Sequence, residues 1–189
     1  MPLPPRPFIF VRHGQTDWNI EERMQGSSDN PLNAEGLRQA AAICQTLRAD
    51  HVDCVVSSPL IRALKTAAAI AETHRKPIHI ENALRERSFG AYEGQSISGI
   101  RQKLGLPPGE SVSKYIDDTA EPWAQVTERA LGAVGRWLAA HPDKKLVFVA
   151  HRTVLRVLAE ALTGEDIRAP NATPYLFQPT PSGWSVTPL

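Results

Sequence analysis

The 189-residue chain has only two cysteines, Cys44 and Cys54, and neither lies in a C-x-x-C or Cys/His metal spacing. That excludes a disulfide framework and a cysteine-based metal site, and two free thiols suit a reducing compartment. Excess charge of one sign is also missing. With 21 Lys+Arg against 20 Asp+Glu the formal charge is +1, so nothing in the overall balance recruits nucleic acid or an anionic membrane. A positive field, where needed, has to be local. No apolar stretch reaches membrane-spanning length, and there is no internal repeat or low-complexity block. Residues 1–7, with four prolines, are too poor in apolar residues for a signal peptide. They read as a stiff, poorly ordered tail, and the chain as cytoplasmic.

What remains is 42% hydrophobic sequence, enough for one sizeable core without metals or disulfides. Phe8-Ile9-Phe10-Val11, Cys54-Val55-Val56 and Leu146-Val147-Phe148-Val149-Ala150 are short apolar runs of the kind found in strands buried on both faces. Ile78-His79-Ile80 is a further candidate strand. Helical spacing lies between them. Asn33 is placed to cap a helix burying Leu37, Ala40, Ala41, Cys44 and Leu47. Ser58-Pro59 has the form of an N-cap and first helical residue, with Leu60, Leu64, Ala67, Ala68 and Ala71 facing inward. Pro122 opens a helix carrying Val126, Ala130, Leu131, Val134, Trp137 and Leu138 up to His141-Pro142. The last helix runs over about 153–163 and stops at Gly164. The alternation predicts an α/β domain, three layers with a mainly parallel central sheet. Residues 94–118 lack periodic apolar positions and read as a loop-rich cover over the sheet.

Three strand ends carry polar groups suited to one task. The first ends in Arg12-His13-Gly14, the second leads through Ser57-Ser58 to Arg62 in a first helical turn, and the third ends at His151. Ligands of open α/β sheets bind beyond such carboxyl ends. A largely neutral imidazole is nucleophilic at neutral pH, and guanidinium groups beside it, aided by a helix N-terminus, attract an anion. The combination points to attack on a phosphoryl group. The leaving oxygen then needs a proton, for which Glu86 is the first candidate and Glu93 a competitor. His51, His74, His79 and His141 carry no assigned role.

These residues lie in a pattern that resembles the histidine phosphatase superfamily, in the branch of the phosphoglycerate mutases and related phosphatases. The resemblance rests on Arg12-His13-Gly14-Gln15-Thr16-Asp17-Trp18-Asn19, Gln25-Gly26, the segment from Asp29 to Ala40, Ser57-Ser58-Pro59-Leu60-Ile61-Arg62, the segment from Leu84 to Gly94, Gly109-Glu110-Ser111, Ala150-His151 and Pro170-Asn171-Ala172-Thr173. It implies a phosphoglycerate mutase-like fold and a transient phosphohistidine at His13. Arg12, Arg62 and His151 would surround the phosphate, Glu86 would donate the proton, Asn19 would touch the phosphate, and Thr16, Gln25 and Gly26 would line the pocket. It implies no metal and no other cofactor, a small phosphorylated substrate, and a monomer or homodimer. One position departs from the family pattern, since Arg152 stands where glycine usually follows the histidine. Arg152 either adds a cation over the phosphate or turns to solvent. Mutases of this family carry extra basic residues after the acid segment. Here Gln95-Ser96-Ile97-Ser98-Gly99-Ile100 has none before Arg101 and Lys103, and Arg87 alone remains to grip substrate. Water is therefore the expected acceptor, with a phosphomonoesterase expected ahead of a 2,3-bisphosphoglycerate-dependent mutase. A non-catalytic phospho-ligand binder would need neither His13 nor Glu86.

Overall fold

Side chains alternate across the strands so that each fills one of two apolar layers. In a computed structural model that describes residues 3–48, 51–107, 111–116 and 119–189, β1 (Phe8–Arg12), β2 (Cys54–Ser57) and β4 (Leu146–Ala150) are buried at every position. Phe8, Phe10, Cys54, Val56, Phe148 and Ala150 enter one layer, and Ile9, Val11, Val55, Val147 and Val149 the other. That is the two-residue period of a strand covered on both faces. Helices α2 (Ala34–Thr46) and α3 (Ile61–His74) supply the second layer, α5 (Trp123–Ala140) and α6 (Arg152–Thr163) the first.

The six-stranded sheet has the order β3-β2-β4-β1-β5-β6. β3 (Ile78–Ile80), β2, β4 and β1 run parallel, as the alternation predicts. β5 (Pro174–Thr180) and β6 (Gly183–Pro188) form an antiparallel hairpin on the far side of β1, which the sequence reading did not include. Because β2, β4 and β1 are neighbours, their carboxyl ends lie side by side. The ladder continues past them, with His13 N–H donating to Ala150 O at 3.0 Å and Ser58 N–H to Val149 O at 3.0 Å.

Local details differ from expectation. Asn33 does cap α2, accepting from Gly36 N–H at 2.8 Å, but the buried face is Gly36, Ala40 and Ile43; Leu37 is exposed and so is Ala41. Ser58 is not the cap of α3. The helix starts at Ile61, its N-cap Leu60 offers no side chain, and Asp29 Oδ1 accepts from Ile61 N–H at 2.6 Å. The α3 face that is buried is Arg62, Ala63, Thr66, Ala67, Ile70 and Ala71, while Leu64 and Ala68 are half-buried. The expected cover holds a short helix, α4 (Ile97–Lys103), and a further apolar cluster of Met24, Phe89, Ile100, Val112, Ile116 and Ala120. Pro108, Gly109, Glu110, Asp117 and Asp118 of that cover lie outside the described residues, as do Met1 and Pro2. Of the expected tail, Leu3 packs into the core beside α5, and Arg6 Nη1 donates to Leu138 O at 2.7 Å and His141 O at 2.8 Å. Carbonyls orphaned at the α5 C-terminus thus find a cation, which ties this segment down.

Candidate active site

The strand ends open into a cleft of about 820 Å³ lined by Arg12, His13, Arg62 and Glu86 among others. Its floor is set by backbone approach. A Cβ on Gly14 would stand 2.5 Å from Gly36 O, so the residue after His13 has to be glycine for α2 to start there. Gly14 N–H donates to Thr66 Oγ1 at 3.0 Å, and Thr66 in turn donates to Arg62 O at 2.8 Å, which fixes β1 to α3.

His13 is buried, with Nδ1 2.6 Å from Gly14 O. A carbonyl oxygen only accepts, so Nδ1 carries the proton and Nε2 keeps its lone pair. Burial holds the His13 imidazole well below the ordinary histidine range, and the charges of Arg62 and Arg12 push the same way against the Gly14 bond. The ring is thus a neutral nucleophile among cations. His151 lies 5.3 Å from it, centroid to centroid, with Nε2 2.7 Å from Ser58 Oγ. Burial, followed by Arg62 and His13, lowers this second imidazole too.

Arg62 is completely buried, and it is aimed by two carbonyls, Ser28 O and Gly26 O, each 2.7 Å from its Nη atoms. Arg12 donates through Nη1 to Ala169 O at 2.8 Å. The Nε–H groups of both arginines have no partner among the described residues, a donor pair suited to phosphoryl oxygens. Burial, with help from Arg152 and Arg62 against Glu86, lowers Arg12 to about 10, so it remains a cation at neutral pH. The α3 N-terminus, expected to help, is instead closed by Asp29, and the positive charge comes from the side chain of Arg62.

Glu86 and Glu93 separate by environment. Glu86 lines the cleft, with Oε1 accepting from Arg87 N–H at 2.9 Å and Oε2 from Thr153 N–H at 3.2 Å in the first turn of α6. Glu93 accepts from Ser27 N–H, Ser28 Oγ, Ser88 Oγ and Phe89 N–H at 2.7 to 3.3 Å. Its burial would raise it, but these bonds together hold it below the usual carboxylate range. Glu93 is therefore a clamp on the loop whose carbonyls aim Arg62. Gly26 in that loop has φ +53°, and its missing Cβ leaves the room that the Glu93 carboxylate fills.

Asn19, Gln25, Gly26 and Arg152 also line the cleft. Asn19 Oδ1 accepts from Thr16 N–H at 3.0 Å and from Asn171 Nδ2 at 3.2 Å, and its own Nδ2 has no partner among the described residues. Thr16, by contrast, is fully buried behind this contact and caps α1 (Asp17–Ile20) instead of lining the cleft. Arg87 does not face the cleft either. It is buried, donates to Glu121 O at 2.6 Å and Ser113 O at 2.8 Å, and stacks 4.3 Å from the Trp123 ring, so it fastens the cover and cannot grip substrate. Arg152 is exposed. Asn171, given no role from sequence, donates to His13 O at 3.0 Å and Gly14 O at 3.2 Å. Only its place in a family segment pointed to it. Among the described residues no group of His, Cys, Asp and Glu could hold a metal.

Residues 8–187 match the histidine phosphatase superfamily (branch 1). The chain belongs to that superfamily. It is 35% identical over 160 residues to an uncharacterized phosphatase, PhoE, of Bacillus subtilis, covering 83% of this chain and 77% of that protein. Similarity to a probable phosphoglycerate mutase, GpmB, of Cronobacter sakazakii is 32% over 164 residues, covering 82% and 74%. The solved structure of a mycobacterial glucosyl-3-phosphoglycerate phosphatase with VO3 superimposes with a TM-score of 0.81 at 27% identity, over 96% of this chain and 97% of that one. The chain is thus an enzyme of this superfamily, a phosphomonoesterase working through a phosphohistidine.

Proposed function

We propose that His13 is the phosphoryl carrier, that Arg12, Arg62, His151 and Asn19 bind the phosphate, and that Glu86 is the proton donor. The carrying observation is the His13 tautomer: Nδ1 spent on Gly14 O and Nε2 free, in a cleft that two buried arginines also line. Nε2 attacks phosphorus, the bond to the ester oxygen breaks, and Glu86 protonates that oxygen as the alcohol leaves. Water then attacks phospho-His13 and returns its proton to Glu86, releasing inorganic phosphate. Charge developing on the transferred oxygens is met by the Nε–H groups of Arg12 and Arg62, so the reaction needs no metal. Gln25 and Gly26 take part in binding at the edge of the phosphate, and Arg152 meets the substrate from the rim of the cleft.

We also read the chain as one domain, acting on a small phosphorylated metabolite in the cytoplasm as a monomer or homodimer. Water is preferred to a second substrate as acceptor because two of the basic residues near the cover are engaged. Arg87 is turned into the protein, and Arg101 donates to Pro107 O at 2.6 Å. The test is a direct comparison of hydrolysis and 2,3-bisphosphoglycerate-dependent mutase turnover on one preparation. Hydrolysis is expected to dominate, and a faster mutase rate would reverse the assignment of acceptor.

A further inference from the structure

The phosphate floor uses only part of the charge in the cleft. Among the described residues seven arginines and three carboxylates line it, in a chain whose formal charge is only +1. Most of these arginines are engaged. Arg12 and Arg62 form the floor, Arg23 pairs with Glu21 and Gly94 O, Arg101 holds Pro107 O, and Arg156 pairs with Asp166 at 2.6 Å beside the Trp123 ring. Arg152 and Arg168 are exposed and have no hydrogen-bond or ion-pair partner among the described residues.

Both stand on backbone that their neighbours fix beside the cleft. Arg152 is the first residue of α6, one turn before Arg156 and so on the same helix face. Arg168 lies between anchored residues: Asp166 is tied to Arg156, Ala169 O accepts from Arg12, and Asn171 donates to His13 O. The loop bearing Arg168 is therefore fastened to the strand end that bears the nucleophile. The proximity of Arg152 is visible in its lowering of Arg12. A phosphate monoester dianion is matched by Arg12 and Arg62 alone, which leaves these two rim charges without a counterpart. Elsewhere the lining offers apolar Trp18, Met24, Phe89, Ile97 and Val112.

We propose that Arg152 and Arg168 form a second anion subsite, so that the preferred substrate carries a carboxylate or a second phosphate on the alcohol that leaves. This rests on the phosphomonoesterase reading above, and it adds what the alcohol looks like. A planar guanidinium pair suits either anion.

The test measures kcat/KM for matched esters that differ in one charged group. The pairs are glycerol 3-phosphate against 3-phosphoglycerate, phenyl phosphate against 4-carboxyphenyl phosphate, and fructose 6-phosphate against fructose 1,6-bisphosphate. The wild type is expected to prefer the charged member of at least one pair by about tenfold or more, the size of one charge-assisted contact. The responding pair tells carboxylate from phosphate. In the Arg152→Gln/Arg168→Gln double variant that preference falls to near unity, and the Arg→Lys double variant restores part of it. Equal rates within all three pairs, or a preference that survives in the Gln double variant with its melting temperature unchanged, would overturn the subsite. Should the wild type hydrolyse none of these esters and no p-nitrophenyl phosphate, the phosphomonoesterase reading fails first.

Discussion

The floor and the rim of the cleft are built by opposite rules. On the floor the aiming contacts come from the protein itself: Arg62 from two carbonyls, His13 from Gly14 O, Asn19 from Thr16 and Asn171. At the rim Arg152 and Arg168 stand exposed without partners among the described residues. Rigid, desolvated donors are what phosphoryl transfer needs, because charge develops there and reorganisation would raise the barrier. Solvated, adjustable charges choose a ligand without altering the chemistry. The difference teaches that one catalytic floor can serve many alcohols while the rim sets which one is favoured.

Breaking the floor has the largest expected effect. His13→Ala is expected to lower p-nitrophenyl phosphate turnover by about 10⁴-fold or more, since no other group carries the phosphoryl. Arg62→Ala removes a buried cation and strands the Gly26 and Ser28 carbonyls, so kcat should fall about 10²- to 10³-fold. Glu86→Gln sharpens the acid assignment. Its kcat/KM, which reports formation of the phosphoenzyme and not its hydrolysis, should drop by about 10²- to 10⁴-fold on alkyl phosphates and much less on p-nitrophenyl phosphate, whose leaving group needs no proton. An equal loss on both would remove Glu86 from that role.

Glu93 tests whether aim, apart from charge, governs the floor. In Glu93→Ala the 26–28 loop loses its clamp and Arg62 its alignment, with an expected loss of about 10- to 100-fold in kcat/KM. Inorganic phosphate should inhibit this variant more weakly than the wild type. Glu93→Gln, which keeps an acceptor oxygen, should recover part of both.

The smallest effect is on stability and follows from the two buried imidazoles. His13 and His151 stay neutral in the fold below the pH at which unfolded histidine gains a proton. Their contribution is complete above about pH 6.5 and is lost as pH falls from there toward their folded values. Between about pH 7.5 and pH 5.5 the unfolding free energy should decrease, both groups acting in the same direction. Denaturant titrations at both pH values check this, and His151→Ala should halve the slope.

Much of the floor was legible because its signals are chemical and local. β1, β2 and β4 are short apolar runs, and each ends in the polar residues that meet at the cleft. Direction was not legible. Glu86 and Arg87 are adjacent, yet one enters the cleft and the other turns inward to Trp123, a choice made by packing against α5 and the cover. Glu93 looked like an acid until its four donors were seen around it. Leu37 was misplaced because α2 buries glycine and alanine against the β1 end, where close approach outweighs side-chain size. The hairpin β5-β6 was hidden by Pro174, Pro179 and Pro181 and by its largely exposed β6 strand, which have the composition of a loop.

The central claim is that the phosphoryl group passes through Nε2 of His13. Rapid quenching of wild-type enzyme during turnover of p-nitrophenyl phosphate labelled in its phosphoryl group, followed by peptide mapping, tests it most directly. The account predicts an acid-labile, alkali-stable label on the peptide containing His13, absent from His13→Ala. Turnover without that label, or the label on another residue, would contradict it.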